Sequence, residues 1–508
     1  MCGIFFYKSK MDKKKSKIDT DKSLMSYGNR CSHRGPDNSK VENITNGSDK
    51  IYMMFHRLSI NGLSNGNQPI HNKGCTLMCN GEIYNYKELA KEYGVDLVTG
   101  SDCEIIIHLY HKIGYSELLN CLDGVFSFVL YDSLKQQILI GHDPFGIRSL
   151  YWFHDGLNLG ISSEMKCLVN LTDKVEFYPP GSYSIYRMND NYMETTRYYH
   201  LNFPQIESSE ELIMKNIRIK LNDAVEKRLS GDRPVGCLLS GGIDSSIIAS
   251  IASLKIPNIK TFSIGLNGSP DLYYAEKVSQ HLNTDHTIVL VTDKQMLDAI
   301  DRTIQQVESY DITTIRASVP MLLLSEYIRD NTDIKIILSG EGADEASGSY
   351  LYFKNAPSAE DFQTESLRLV NDVQYFDANR ADKTTSGAGL EIRVPFFDKS
   401  FMEYYMSIDP KLKMFSSGIE KRLLREAFST YLPIEIIERR KDGFSDGVSS
   451  FDKPWHSIVE DYSVKHYNLH EKELYKHIYN KYYDKQEIIP YMWLPKWTSE
   501  KDPSNRLV

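Results

Sequence analysis

The sequence predicts a two-domain protein, a layered α+β domain followed by an α/β domain built on a parallel sheet, and three observations predict it. Its 508 residues exceed what a single hydrophobic core serves. Up to about Phe203 the chain is a succession of short β-like runs punctuated by Gly, Asn and Asp. Beyond that point strand-like runs lead into small-residue loops and then helices, which is how parallel strands are connected. The boundary falls near residues 202–205, giving domains over 2–203 and 204–508.

In the first domain, residues 51–55 and 76–79 read as strands. Residues 125–131, answered by 137–140 across a turn at 132–135, read as a hairpin. Asn80-Gly81-Glu82 reads as a turn after its strand. Residues 102–113 place Ile105, Ile106, Leu109 and Ile113 on one helical face. In the second domain, residues 210–229 space Ile213, Ile217, Leu221, Val225 and Leu229 four apart, an amphipathic helix. A strand over 235–239 then leads into a glycine-rich loop and a helix over about 245–254, and 334–338 leads into a second small-residue loop at 339–345. A parallel sheet of this kind puts ligands at the carboxyl ends of its strands. After about residue 356 the chain reads as mainly helical, with fraying expected after Trp497.

Composition narrows the class. Hydrophobic residues at 41% and charged residues at 25% are those of a globular enzyme. A net charge of −9 argues against a nucleic-acid partner, and Lys13-Lys14-Lys15 reads as a solvated loop. The eight cysteines form no C-x-x-C pair and fit neither a disulfide framework nor a zinc ribbon, so reduced thiols in a cytoplasmic protein are expected. Cys75 and Cys79, near His71, read as strand positions. No apolar stretch precedes Lys8 and no run reaches the roughly 18–20 residues of a membrane span, so neither a signal peptide nor a membrane partner is expected.

Two constellations carry chemistry. Cys2 becomes N-terminal once Met1 is removed, which sets a thiol beside an α-amine that titrates around pH 8 and can take the thiol proton. Asn80 and Gly81 can offer an amide and a backbone N–H to an oxyanion. Glu82 and Asp102 can hold an α-ammonium and Arg57 a carboxylate. These groups suit an amino acid attacked at its side-chain carbonyl, such as glutamine. The second constellation is Ser240-Gly241-Gly242-Ile243-Asp244-Ser245-Ser246. Its glycines permit close backbone approach, its hydroxyls and the following helix N-terminus suit phosphates, and Asp244 calls for an intervening Mg²⁺.

Cys2-Gly3-Ile4, His33-Arg34-Gly35-Pro36-Asp37, His56-Arg57-Leu58-Ser59-Ile60, Asn80-Gly81-Glu82 and Gly100-Ser101-Asp102 resemble the class II glutamine amidotransferase domain, an N-terminal-nucleophile αββα sandwich. The loop from Ser240 to Ser246 resembles that of the ATP-pyrophosphatase (adenine nucleotide α-hydrolase-like) domains. Together they resemble the glutamine-dependent asparagine synthetase family, from Cys2 to about Val448. The resemblance implies Cys2 as nucleophile with Asn80 and Gly81 as oxyanion hole. It implies glutamine held by Arg57, Leu58, Ser59, Ile60, Asn61, Asn80, Gly81, Glu82 and Asp102. ATP would contact Leu239, Ser240, Gly241, Gly242, Asp244, Ser245, Ser246, Ile264, Ser339 and Gly340. Thr313, Thr314 and Arg316 would bind aspartate, Glu341 would lie near the intermediate, and Lys441 would stabilise charge on the transferring phosphate. Asp244 and Asp344 would hold Mg²⁺. The implied activity is ATP-dependent synthesis of asparagine from aspartate with ammonia from glutamine, through β-aspartyl-AMP; a homodimer is compatible with it. A β-lactam synthetase-like enzyme, the competing reading, would need no Cys2. Two departures stand out: Ser349 replaces an expected second glycine after Gly348, which predicts crowding, and residues 448–454 match no pattern of the family.

Overall fold

The computed structural model describes residues 1–10, 21–415, 418–500, 502–504 and 506; Lys13, Lys14 and Lys15 lie outside the described residues. The first domain carries twelve strands: β1 (Gly3–Lys10), β2 (Asn38–Asn46), β3 (Asp49–Arg57), β4 (Ile70–Asn72), β5 (Cys75–Ile83), β6 (Gly124–Asp132), β7 (Gln137–His142), β8 (Tyr151–His154), β9 (Leu159–Ser162), β10 (Glu176–Phe177), β11 (Ser182–Arg187) and β12 (Tyr192–Arg197). They form two six-stranded sheets, ordered β10-β8-β9-β1-β3-β2 and β12-β11-β7-β6-β5-β4. Side chains alternate across each strand, and the core follows. Ile4 and Phe6 of β1 pack with Met78 of β5, Val129 of β6 and Ile140 of β7 between the sheets. Phe5 and Tyr7 point the other way, toward Leu24 of α1 (Asp21–Gly28). Cys79 and Phe128 face Ile105, Ile106 and Leu109 of α2 (Ile105–Cys121). The result is an αββα sandwich. The predicted hairpin is β6–β7, closed where Asp132 Oδ1 accepts from the Leu134 and Lys135 amides, each at 2.9 Å. One local expectation is corrected: Asn80, Gly81 and Glu82 are no turn but continue β5, paired with Ser127, Phe126 and Val125. Strand pairing on to Ile83 overrides the turn preference of Asn-Gly. His71 lies in β4, and Cys75 and Cys79 in β5.

In the second domain α3 (Glu210–Arg228) begins where Ser209 accepts from the Leu212 amide, with acidic residues in its first turn and basic ones in its last. It buries Ile213, Ile217, Leu221 and Val225, as the four-residue spacing requires. α4 (Ile243–Lys255) follows β13 (Val235–Leu238), and α5 (Ile312–Asn331) and α6 (Asp377–Gly387) come later. β13 joins β14 (Lys260–Gly265), β15 (Asp285–Leu290), β16 (Ile336–Leu338) and β17 (Glu391–Arg393) in a parallel sheet ordered β15-β14-β13-β16-β17. Strand order reverses at β13, so the loops after β13 and β16 diverge there and open a crevice. Beyond it lies α7 (Phe444–Gly447). The residues after Trp497 are not frayed where they are described: Asp502, Ser504 and Arg506 all make side-chain bonds back to the domain.

The two halves meet over shared apolar clusters, with Phe145 against Phe397 among them, and through a buried, charged seam. Arg34 reaches Glu164 at 3.2 Å within its own half and Asp382 of α6 at 2.8 Å across it. Ser149 donates to Asp382 at 2.9 Å, and Arg148 to the Ile392 carbonyl at 3.0 Å. Glu308 accepts from the Met165 and Lys166 amides at 2.8 and 2.7 Å and pairs with Lys383. Such charges are stable because each is matched, within its own half or across the seam.

Candidate active sites

The first site gathers at the adjoining ends of β1, β3 and β5. The Cys2 amide donates to Asn80 Oδ1 at 2.8 Å, and its thiol lies 3.7 Å from the Leu58 carbonyl. Among the described residues the buried Asn80 Nδ2 group has no partner. A buried amide donor in this state is costly unless something else accepts its hydrogens, which suits an oxyanion. At Gly81 a Cβ would come within 2.2 Å of the Val125 carbonyl oxygen, so the β5–β6 pairing admits no side chain there. Asp102 accepts from the Ile83 amide at 2.7 Å, and the Asn61 side-chain amide donates to Glu82 at 2.6 Å and to Asp102 at 3.3 Å. Two carboxylates thus converge on one nitrogen, an arrangement an α-ammonium could take over. Burial raises both carboxyls above their ordinary range, with Glu391 and then Asp102 adding to the effect on Glu82. Arg57 is mostly committed to its own loop, donating to Asn67 Oδ1 at 2.8 Å and to the Asn61 and Gly62 carbonyls at 2.9 and 2.7 Å. The Ser59 amide is held by Asp37 at 2.8 Å, and the Ile60 carbonyl accepts from the Asp232 amide of the second domain at 2.9 Å.

Met1 is present and buried, its amine 3.8 Å from Glu391 and its sulfur 2.8 Å from Arg148. Burial pushes the Cys2 thiol up to about 11 in this state. Only about one thiol in a thousand is then ionised at pH 8. The rate of iodoacetamide alkylation at Cys2 in the Met1-bearing chain should therefore rise about tenfold per pH unit from pH 8 towards 11, read by peptide mass spectrometry. A rate flat above pH 9 would contradict the burial argument.

The second site is a cavity of about 200 Å³ in the crevice, lined only by residues of the second domain, from Leu238 to Pro503. Leu239, Ser240, Gly242, Asp244 and Ser245 form one wall, Ile264 of β14 another, and Ser339, Gly340, Glu341 and Asp344 a third. Gly241 turns the loop at φ +72°, where a Cβ would lie 2.4 Å from the Ala275 nitrogen. Ser240 and Ser245 share a hydroxyl contact at 3.1 Å, and Ser246 lies beneath, its buried hydroxyl unpartnered. Asp244 and Asp344 face each other across the ammonium of Lys421, at 2.5 Å from each, and Lys441 reaches Asp344 at 2.5 Å. Burial opposes ionisation of Asp344, but Lys421 and Lys441 overcome it and hold the carboxyl below its ordinary range. Burial wins at Asp244, which is raised, and its Oδ1 has no hydrogen-bond partner among the described residues. Two carboxylates bridged by a cation, one with a spare buried oxygen, are the hard-oxygen donor set that suits Mg²⁺. Glu341 is held in a two-pronged pair by Arg380 of α6 at 3.0 and 2.7 Å.

The three aspartate-binding candidates are not all brought to this cavity. Thr313 lines the cavity, and both it and Thr314 donate to Asp311 at the start of α5; Thr314 and Arg316 are not in the lining. The Arg316 guanidinium is taken by Glu471, at 2.8 and 2.5 Å, and by Asp502, at 2.8 and 2.9 Å. Those two carboxylates draw Arg316 off the cavity face, while Ala317, one turn from Thr313, is in the lining. Ser349 does not crowd the site: its buried hydroxyl donates to Asp344 at 2.5 Å. The glycine requirement sits at Gly348, where φ is +58° and a Cβ would meet the Phe362 ring at 2.3 Å. Arg380 and Lys421 went unnoticed in the sequence, because nothing in their local pattern sets them apart.

Comparison with known proteins agrees with both halves. A family model for the glutamine amidotransferase domain matches residues 1–216, and one for asparagine synthase matches 216–368 and 354–494. The glutamine-hydrolysing asparagine synthetases of Bos taurus and Homo sapiens are each 39% identical over 534 residues, covering 94% of this chain and 94% of theirs. That of Gallus gallus is 38% identical over 530 residues, with the same coverage. Among solved structures, a glutamine phosphoribosylpyrophosphate amidotransferase from B. subtilis is 18% identical over 51% of this chain and 65% of its own, at a TM-score of 0.32, too low to carry an argument. With that identity sustained along nearly its whole length, the chain belongs to the glutamine-hydrolysing asparagine synthetase family.

Proposed function

We propose that the two sites run two half-reactions of one synthesis, L-asparagine from L-aspartate, ATP and the amide nitrogen of L-glutamine. One observation carries this: a chain that sets Cys2 against the unpartnered Asn80 amide also sets Asp244 opposite Asp344 in a separate cavity. In the first site, with Met1 removed, the α-amine of Cys2 takes the thiol proton and the sulfur attacks the glutamine side-chain carbonyl. Asn80 Nδ2 and the Gly81 N–H receive the oxyanion. Ammonia leaves, and water hydrolyses the thioester to glutamate. Glu82 and Asp102 hold the substrate ammonium. Arg57 would reach its carboxylate only by sharing donors with the 61–67 loop.

In the second site Leu239 and Ile264 flank the adenine, and Ser240, Gly242 and Ser245 take the phosphates. Mg²⁺ on Asp244 and Asp344 would neutralise the departing pyrophosphate. The aspartate β-carboxylate attacks the α-phosphorus, giving β-aspartyl-AMP and pyrophosphate. Lys441 offsets charge on the transferring phosphate, and Glu341, fixed by Arg380, stands beside the intermediate. Ammonia then displaces AMP. Thr313 is the one aspartate-binding candidate that reaches the cavity. The domain boundary at 203/204, a cytoplasmic location and a homodimer belong to the same reading. Among the described residues no helix is long and apolar enough to cross a membrane.

The test is a product assay with aspartate, ATP and Mg²⁺, supplied with glutamine or with ammonium. Asparagine, AMP and pyrophosphate in equal amounts with glutamine are expected. Product with ammonium alone would remove Cys2 as the working nucleophile, and product with neither would reject the synthesis.

A further inference from the structure

The last described residues of the chain return to the nucleotide cavity. Pro503 lines it together with Thr313 and Lys441. On one side of Pro503, Asp502 holds Arg316 of α5 by both carboxylate oxygens. On the other, Ser504 Oγ donates to Asp446 of α7 at 2.6 Å. Arg506 then grips the segment that bears Lys441. Its guanidinium donates to Asp442 at 3.0 Å and to the Ser450 and Ser449 carbonyls at 2.8 and 3.1 Å, and lies 4.3 Å over the Phe451 ring. Asp442 is the residue after Lys441, and 449–451 follow closely behind it. Upstream, Arg439 is tied to Asp271 at 2.5 Å and to the Ser240 carbonyl at 3.4 Å. Lys441 is therefore bracketed by two arginine anchors, one of them supplied from more than sixty residues away. The matched family region ends at residue 494, short of this second anchor.

A lysine ammonium sits on a flexible four-carbon stem, so where its charge acts depends on how firmly its backbone is held. A shift of about 1 Å in a charge aimed at a transition state can cost on the order of 100-fold in rate. We propose that Arg506, assisted by Ser504 and Asp502, is a positioning residue for the ATP-consuming half-reaction: it fixes the 440–451 segment so that Lys441 stands against the cavity. This rests on the reading of Lys441 given above, and it adds a function for a part of the chain that carries no recognisable motif.

The full chain would be compared as wild type, Arg506→Ala, Ser504→Ala and Lys441→Met. Aspartate-dependent exchange of pyrophosphate into ATP, glutaminase activity and the rate of tryptic cleavage at Arg439, Arg440 and Lys441 would be followed. For Arg506→Ala, the exchange kcat should fall roughly 10- to 100-fold with KM for ATP within about twofold. Guanidinium ion added to the buffer should recover part of the loss, and trypsin should cut the 439–441 run faster than in wild type. Ser504→Ala should show the same pattern more weakly, which covers the case of Arg506→Ala failing to fold, reported by lost glutaminase. Wild-type exchange and unchanged cleavage in Arg506→Ala would overturn the proposal, as would a loss confined to KM. Full exchange in Lys441→Met would overturn the role of Lys441 instead, while the tryptic rate would still decide whether Arg506 holds the segment.

Discussion

Replacing Cys2 with alanine should lower glutamine-dependent asparagine formation at least about a thousandfold, while ammonium-dependent formation stays within about twofold of wild type. The first half follows from chemistry: Cys2 is the cysteine bonded to Asn80, whereas Cys79 and Cys103 are buried in a core of the first domain and Cys31 in a cluster shared by both halves. The second half follows from geometry, because the nucleotide cavity takes no wall from the first domain. The substitution removes a sulfur from a half-buried position whose backbone bond to Asn80 Oδ1 is untouched, so the fold should tolerate it. Steady-state rates with each nitrogen donor check both halves. Equal losses with glutamine and ammonium would show that Cys2 acts through structure and not as the nucleophile.

Asp344→Asn should abolish the other half-reaction, lowering ATP–pyrophosphate exchange by at least about a hundredfold with glutaminase retained. Asp344 answers Lys421, Lys441 and Ser349 at once. A neutral amide leaves Lys441 without its partner and removes half of the proposed Mg²⁺ site. The change also bears on stability. Asp344 is held below its ordinary range in the folded state. Its contribution is therefore present above the unfolded carboxyl value of about 4 and is lost as pH falls below it. The urea midpoint of Asp344→Asn should lie below that of wild type at pH 7, and the gap should narrow as pH falls toward 3. A gap constant with pH would mean that the two lysines do not hold this carboxylate ionised.

The sequence makes the first site more legible than the second, for a physical reason. Leu58 to Asn61 and Asn80 to Glu82 follow directly on runs the sequence already marks as strands, and pairing β1 with β3 and continuing β5 brings them to Cys2, with Asp102 arriving from a helical turn. The loop from Ser240 to Ser246 is legible because one turn holds its glycines, hydroxyls and carboxylate. What the sequence hides are partnerships over distance. Lys421 meets Asp244 from 177 residues away and Arg506 meets Asp442 from 64. Arg380 lies on a helix that is almost wholly buried yet poor in aliphatic residues, so periodicity gave no face to read. Arg316 illustrates the opposite error. Its type suits a carboxylate, and it has found two, both belonging to the chain itself.

The charged seam has a consequence for anyone wishing to recombine these halves. Arg34, Arg148 and Ser149 on one side require Asp382 and the Ile392 carbonyl on the other, and Glu308 needs both Lys383 beside it and the amides at 165 and 166 opposite. The apolar part of the joint, Phe145 against Phe397 within it, would accept many substitutes of similar shape; its matched charges accept only a mate bearing the same pattern. A chimera that grafts a foreign ATP-using half onto this glutaminase would strand buried guanidinium groups unless α6 travels with it. Exchange of the two modules is thus constrained by a handful of polar residues as well as by the apolar clusters that the halves share.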